Sequence, residues 1–209
     1  MPTSTPTRGR PPGLTGQALL AEARAVFLER GYASTTMDDV AARARISKSS
    51  LYREHPSKSA LYAAVVSDWA SSGRDAMRPS LERLAREPDV KRGLMEMAEV
   101  LLQAMLSPAV VEMRRLVVNE AKSQPHVAAT YLRESWDRNI DGLAKTFEGL
   151  RERGALIVDD TRVAAEDFTW LLVGGPLNSA LLGVEPRVEG GRPSRVVALF
   201  LARYGVARH

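Results

Sequence analysis

Apolar residues recur every three or four positions through most of this chain, and the breaks between those runs carry Gly, Pro, Ser, Thr or Asp. Leu19, Leu20, Ala23, Val26 and Phe27 predict a first helix over residues 15–30, closed by Gly31. Thr36 with Asp39 three residues on resembles a capping box, opening a second helix whose inward face is Met37, Val40, Ala41 and Ala44. Ser47 caps a third helix over 47–55, Pro56 ends it, and Ser57 caps a fourth. Beyond these lie predicted helices over 89–106, 108–123, 126–153, 161–182 and 194–204. The longest of them carries Tyr131, Leu132, Trp136, Ile140, Leu143, Phe147 and Leu150 on one stripe. No window alternates as a strand bounded by hairpin turns. The pattern predicts an all-α fold.

Two of these helices carry more apolar surface than a single face needs. Residues 168–184 hold no charge, and Val196, Val197, Leu199, Phe200 and Leu201 crowd the last helix. An uncharged stretch of that length containing Gly174, Gly175, Pro176 and Asn178 falls short of a membrane span, so no membrane partner is expected. A helix that is apolar all round is buried on every side. Either both helices are core of a monomer, or they pair with their copies across a four-helix homodimer interface, the reading adopted here.

The second and third helices, with the short break between them, have the form of a helix-turn-helix, whose second helix lies in the DNA major groove. Eight or nine residues at 1.5 Å each give roughly 12 Å, about the groove's width. Leu51 and Ile46 face the core, whereas Lys48, Ser49, Arg53 and Glu54 project outward toward base edges. Arg53 has the fork to bond guanine bidentately. Thr36, at a helix N-terminus, can present backbone N–H groups to a phosphate.

With its flanks this stretch resembles the DNA-binding domain of the TetR family of bacterial transcriptional regulators. The resemblance rests on Phe27, Gly31-Tyr32, Thr36-Met37-Asp38-Asp39-Val40-Ala41, Ile46-Ser47-Lys48, Leu51-Tyr52-Arg53, Pro56-Ser57-Lys58 and Ala60-Leu61. A looser likeness to one C-terminal subgroup runs from Arg115-Leu116-Val117 to Gly174-Gly175. What the resemblance implies is a cytoplasmic, dimeric, ligand-controlled regulator, most often a repressor released from a pseudo-palindromic operator by a small, largely apolar effector. The alternatives are an activator, or a protein-interaction module free of ligand control. By resemblance Ser50, Tyr52 and Lys58 hold the phosphate backbone, completing a DNA-binding set of Thr36, Arg45, Lys48, Ser49, Ser50, Tyr52, Arg53 and Lys58.

This chain departs from the family pattern at three places. Arg45 stands in the turn where Gly is common, so it either carries left-handed strain or reaches a phosphate. Ser49 replaces a common Gly. Glu54-His55 replaces an aromatic pair: His55 is a core or capping group, or else a pH switch, and Glu54 is either repelled by phosphates or accepts from a cytosine amino group.

The organisation expected is a disordered arm over 1–13, a three-helix DNA-binding domain over 14–60, and a helical effector-binding and dimerisation domain over 61–209. Charge follows this division. Residues 1–60 hold nine Lys/Arg and five Asp/Glu, and the remainder holds twenty of each, so the whole formal charge of +4 lies beside the groove-reading helix. Arg8-Gly9-Arg10-Pro11 in the arm resembles an AT-hook core, to be read as a minor-groove contact or as an inert tail. That arm has no apolar run of a secretory signal. Zero cysteines exclude disulfides and thiol catalysis.

For the effector, the candidate walls are Met97, Met105, Met113, Trp136, Asn139, Phe168 and Trp170, with Met95, His126 and Asn178 beside them. An enzyme would need a constellation that is missing here. The three histidines stand apart, and Asp38-Asp39 and Asp159-Asp160 sit at helix starts where the dipole favours carboxylates. No catalytic residue, metal ligand or cofactor is expected.

Overall fold

The computed structural model describes residues 14–206, all-α, and places them in two compact units, one up to Asp68 and one from Trp69. Residues 1–13, with the AT-hook-like run, lie outside the described residues.

The first unit is built by α1 (Gly16–Ser34), α2 (Met37–Arg43), α3 (Lys48–Glu54) and the start of α4 (Lys58–Arg86). Gly31 breaks the helical path of α1 at φ 76°, after which one more turn reaches Ser34. Thr35, buried behind that break, donates to the carbonyl of Gly31 at 2.7 Å. An aromatic trio fills the unit: Phe27 meets Tyr62 edge-on at 5.4 Å, and Tyr32 lies 4.9 Å from Tyr62. Leu61, Tyr62, Val65 and Val66 of α4 are all buried. The small core therefore needs the first turns of α4 as well as the three helices that precede it.

The second unit contains the rest of α4 with α5 (Val90–Met105), α6 (Pro108–Glu120), α7 (Pro125–Tyr131), α8 (Arg138–Glu152), α9 (Thr161–Leu181) and α10 (Arg192–Tyr204). Asp89 and Asp160 cap α5 and α9 through their carboxylates, and Pro108 occupies the first turn of α6, where a missing N–H costs nothing. Phe147, Phe168 and Phe200 meet at 5.1 to 6.1 Å and bring α8, α9 and α10 onto one core. Two expected helices differ in detail. The last begins at Arg192, ahead of Ser194, because Pro193 serves as its entry residue. The stretch over 126–153 is divided by one wide π turn, Leu132–Asp137, between α7 and α8. An inserted residue rotates everything before it, which is why Leu132 is 54% exposed although the regular period placed it inward.

No single helix among the described residues is long and apolar enough to cross a membrane. Nor is α9 buried on every side: Val163, Trp170, Leu171 and Leu182 are exposed in the single chain.

Candidate nucleic-acid interface and ligand cavity

The turn between α2 and α3 is a Schellman motif. The N–H of Ile46 donates to the carbonyl of Ala41 at 3.0 Å, and that of Arg45 to Ala42 at 3.2 Å. Closing those two bonds requires the residue between helix and exit to be left-handed, and Arg45 is, at φ 57°. The same motif ends α8 at Gly154 and α9 at Gly183. Arg45 is the only residue other than glycine with positive φ among the described residues. The strain weighed for it is present, and its exposed side chain is carried outward at the turn.

Helix α3 then presents its two faces as expected. Leu51 is fully buried, Ile46 is half-buried, and Lys48, Ser49, Tyr52, Arg53 and Glu54 are exposed. The Ser47 hydroxyl accepts from the N–H of Ser50 at 3.1 Å and shares hydrogen bonds with the hydroxyls of Ser49 and Ser50. That triad of serines holds the start of α3. Lys48 is not idle: its ammonium lies 2.9 Å from Asp38, a hydrogen bond that raises its pKa above the ordinary lysine value. Arg30 pairs with Asp39, and Arg43 bridges Glu22 and Glu29. Arg53, by contrast, forms no ion pair among the described residues. His55 is the C-cap residue of α3, half-buried, its backbone N–H donating to the carbonyl of Leu51 at 2.8 Å.

Two members of the sequence-derived set are otherwise engaged. The Lys58 ammonium donates to the carbonyls of Tyr32 at 2.9 Å and Ala33 at 3.1 Å, and sits 4.5 Å over the Tyr32 ring. It bonds two carbonyls at the end of α1, of which that of Tyr32 also accepts from the N–H of Thr35 at 3.3 Å. Thr36 completes the capping box: its N–H donates to Asp39 at 2.9 Å, and its hydroxyl to the same oxygen at 2.7 Å. These two bonds, with Arg30 nearby, hold the Asp39 carboxyl below the usual carboxylate range. A phosphate at that helix start would meet an ionised carboxylate and an N–H already used.

The second unit encloses a cavity of about 320 Å³. Its wall includes Trp69, Met77 and Leu81 from α4, Met97, Leu101 and Met105 from α5, Arg114 from α6, and Tyr131, Trp136, Asn139 and Ile140. Four sequence candidates, Met97, Met105, Trp136 and Asn139, are thus brought together. Three are not. Met113 is fully buried, 100° around α6 from Arg114, and Phe168 is committed to the three-phenylalanine core. Trp170 lies on the outward face of α9, 51% exposed and 4.7 Å from Trp136, while its neighbour Thr169 lines the cavity. His126 and Asn178 are exposed and Met95 packs against the core; none of the three lines the cavity.

The sequence reading missed Trp69, Met77, Leu81, Arg114 and Tyr131 as wall residues. Arg114 had a legible signal. It shares a stripe with Val110 and Val117 at i, i+4 and i+7, a cation placed on an apolar face.

The bacterial regulatory protein tetR family matches residues 19–65, and the AefR-like transcriptional repressor C-terminal domain matches residues 92–206. A putative TetR-family transcriptional regulator from Mesorhizobium loti superposes with a TM-score of 0.86 at 26% identity, covering 91% of this chain and 96% of that one. The flavonoid-responsive regulator FrrA superposes with a TM-score of 0.73 at 25% identity, covering 90% and 95%. The HTH-type transcriptional activator FasR of Mycolicibacterium smegmatis is 41% identical over 75 residues, a match spanning 34% of each chain.

Proposed function

We propose that this chain, which belongs to the TetR family of bacterial transcriptional regulators, is a homodimeric repressor that leaves its operator when a small, largely apolar ligand occupies the second unit. The observation that carries the reading is the outer face of α3, where Lys48, Ser49, Tyr52 and Arg53 stand exposed over a buried Leu51, with Arg53 unpaired among the described residues. Seven helical residues between their two caps span about 10 Å, which the major groove admits. In this reading Arg53 addresses a base edge, and Ser49, Ser50 and Tyr52 address sugar and phosphate. Lys48 exchanges Asp38 for a phosphate, a small cost because the pair is exposed. Arg45 contacts the backbone from the turn.

Dimerisation is supported by the apolar surface that one chain leaves uncovered. Val163, Trp170, Leu171 and Leu182 follow one face of α9, and Ala198, Leu199 and Ala202 one face of α10. Two such faces related by a two-fold axis bury one another and present two copies of α3 to the half-sites of a pseudo-palindrome. Ligand control is supported by the cavity, and by FrrA, a structural relative that responds to flavonoids. The ligand would favour a dimer whose reading heads no longer match the half-sites, by as much as its affinity differs between the two states. Repression follows the AefR-like match. Activation is the second reading, favoured by the likeness to FasR, an activator.

The test is fluorescence anisotropy on labelled DNA from upstream of the gene, titrated with salt, with Arg53→Ala and Tyr52→Phe beside wild type. Tight, salt-sensitive binding that Arg53→Ala loses selectively is the expected result. Binding equal to that of random DNA, from this fragment and from sequences selected out of a random pool, would overturn it.

A further inference from the structure

Among the described residues, three guanidinium groups carry a buried nitrogen without a hydrogen-bond partner: Arg74, Arg114 and Arg115. Arg74 lies 3.6 Å from the Glu134 carboxylate. Arg115 donates from its other nitrogen to the carbonyl of Ala180. Arg114 alone of the three has neither hydrogen bond nor ion pair among the described residues, and it alone lines the cavity. Its guanidinium is held by aromatic faces instead, 5.2 Å from the Trp136 ring and 5.9 Å from Tyr131. Those contacts stabilise a cation in part, but satisfy none of its N–H donors.

An arginine cannot shed its proton, so a half-buried guanidinium on a largely apolar wall, with neither hydrogen bond nor ion pair among the described residues, calls for an anionic acceptor. The cavity wall supplies no carboxylate. Its amide, Asn139, donates to the carbonyl of Ser135 at 2.7 Å, and its Oδ1 takes no bond from Arg114. The hydroxyls of Ser72, Ser107, Tyr131, Ser135 and Thr169 also border the cavity without accepting from Arg114, and the remainder of the wall is apolar. We infer that the ligand of this cavity is an amphipathic monocarboxylate, its carboxylate bound by the fork of Arg114 and its apolar body lying along Met77, Met97 and Met105. The two terminal nitrogens of a guanidinium take a carboxylate end-on through two parallel bonds. A volume of about 320 Å³ suits a body of roughly ten to fifteen non-hydrogen atoms. The π turn contributes by placing Ser135 and Trp136 on the wall where Arg114 lies.

This inference rests on the reading of the cavity as an effector site, and the experiment separates the two. 4-(Dimethylamino)benzonitrile, neutral and small enough for this volume, reports the cavity by its polarity-sensitive fluorescence, and Ala76→Trp fills the space from its wall. If wild type binds none of this dye, or Ala76→Trp binds it unchanged, the cavity reading itself fails. Given a cavity signal, octanoate and 4-phenylbutyrate are titrated as competitors beside their neutral primary amides, on wild type, Arg114→Met and Arg114→Lys. The two acids distinguish an alkyl from an aromatic body. We expect at least one acid to displace the dye about tenfold more tightly than its amide from wild type. Arg114→Met should level acid and amide, and Arg114→Lys should restore part of the difference. Acids no better than amides on wild type, including acids that displace nothing, overturn the assignment. So does Arg114→Met binding the acid as tightly as wild type. Should Arg114→Met fail to fold, the acid–amide comparison on wild type decides alone.

Discussion

Replacing Arg45 by glycine should make the DNA-binding unit more stable, although it deletes a long side chain from an exposed turn. The backbone supplies the reason. Arg45 sits at φ 57° between the paired hydrogen bonds of a Schellman motif, so the left-handed conformation is fixed by Ala41, Ala42 and Ile46 whatever residue stands there. A residue with Cβ gives up about 1–2 kcal/mol in that conformation. Glycine escapes that cost but loses about 0.5–1 kcal/mol more conformational entropy on folding. The net gain is about 0.5–1 kcal/mol, or about 1–4 °C in Tm for a chain of this size. Arg45→Ala is the control, since it removes the same side-chain interactions while keeping the Cβ. Urea unfolding of the two variants should show Arg45→Gly the more stable by that amount. Equal stability, or a more stable alanine variant, would refute the strain argument. The two should agree in DNA affinity. If the arginine meets a phosphate, both variants lower the salt-dependence slope of log K by about 0.9 relative to wild type, and strain relief buys nothing at the DNA.

Other expectations follow from the same geometry. Lys58→Met should destabilise the first unit by about 2 kcal/mol in denaturant titrations, from two charge-assisted bonds and one cation–π contact, without changing the salt slope of DNA binding. Asp38→Asn removes the partner of Lys48 and one repelling charge, and should tighten DNA binding roughly two- to fivefold in anisotropy at low salt. The Asp39 carboxyl is held low, so its stabilising effect is fully present above the unfolded carboxylate value near 3.8 and is lost as pH falls through the lower folded value. Asp39→Asn should therefore flatten the acid limb of a stability profile below about pH 4. Leu199→Glu on the uncovered face of α10 should yield monomers in sedimentation and abolish operator binding with the fold retained by circular dichroism.

Helix α3 was legible in the sequence because its determinants are local. Thr36 with Asp39, Ser47 with Ser50, and Leu51 between exposed neighbours are relations within a turn or two, and each one is found in the structure as the spacing implied. The all-α fold and the placing of Asp160 at a helix start were readable on the same ground. Partnership across the fold was not. Lys48, Lys58 and Arg53 look alike as cations on a strip of sequence. Yet one is paired with Asp38, one closes the end of α1, and one is left unpaired among the described residues, because α1 and α2 bring their acceptors to two of them. The cavity was half legible for a similar reason. A methionine at helical spacing points inward in either case, and only packing decides between a space and a filled core. Met97 and Met105 border the cavity, while Met113, on a different face of its own helix, is sealed in the interior. Sequence also cannot foresee a π turn, since one inserted residue leaves every local propensity unchanged. It rotates the helix by about 100°, enough to turn Leu132 outward. Local periodicity and capping thus determined which helices form and which side chains α3 exposes. Long-range packing alone decided which charges stay available and where the chain leaves room for a ligand.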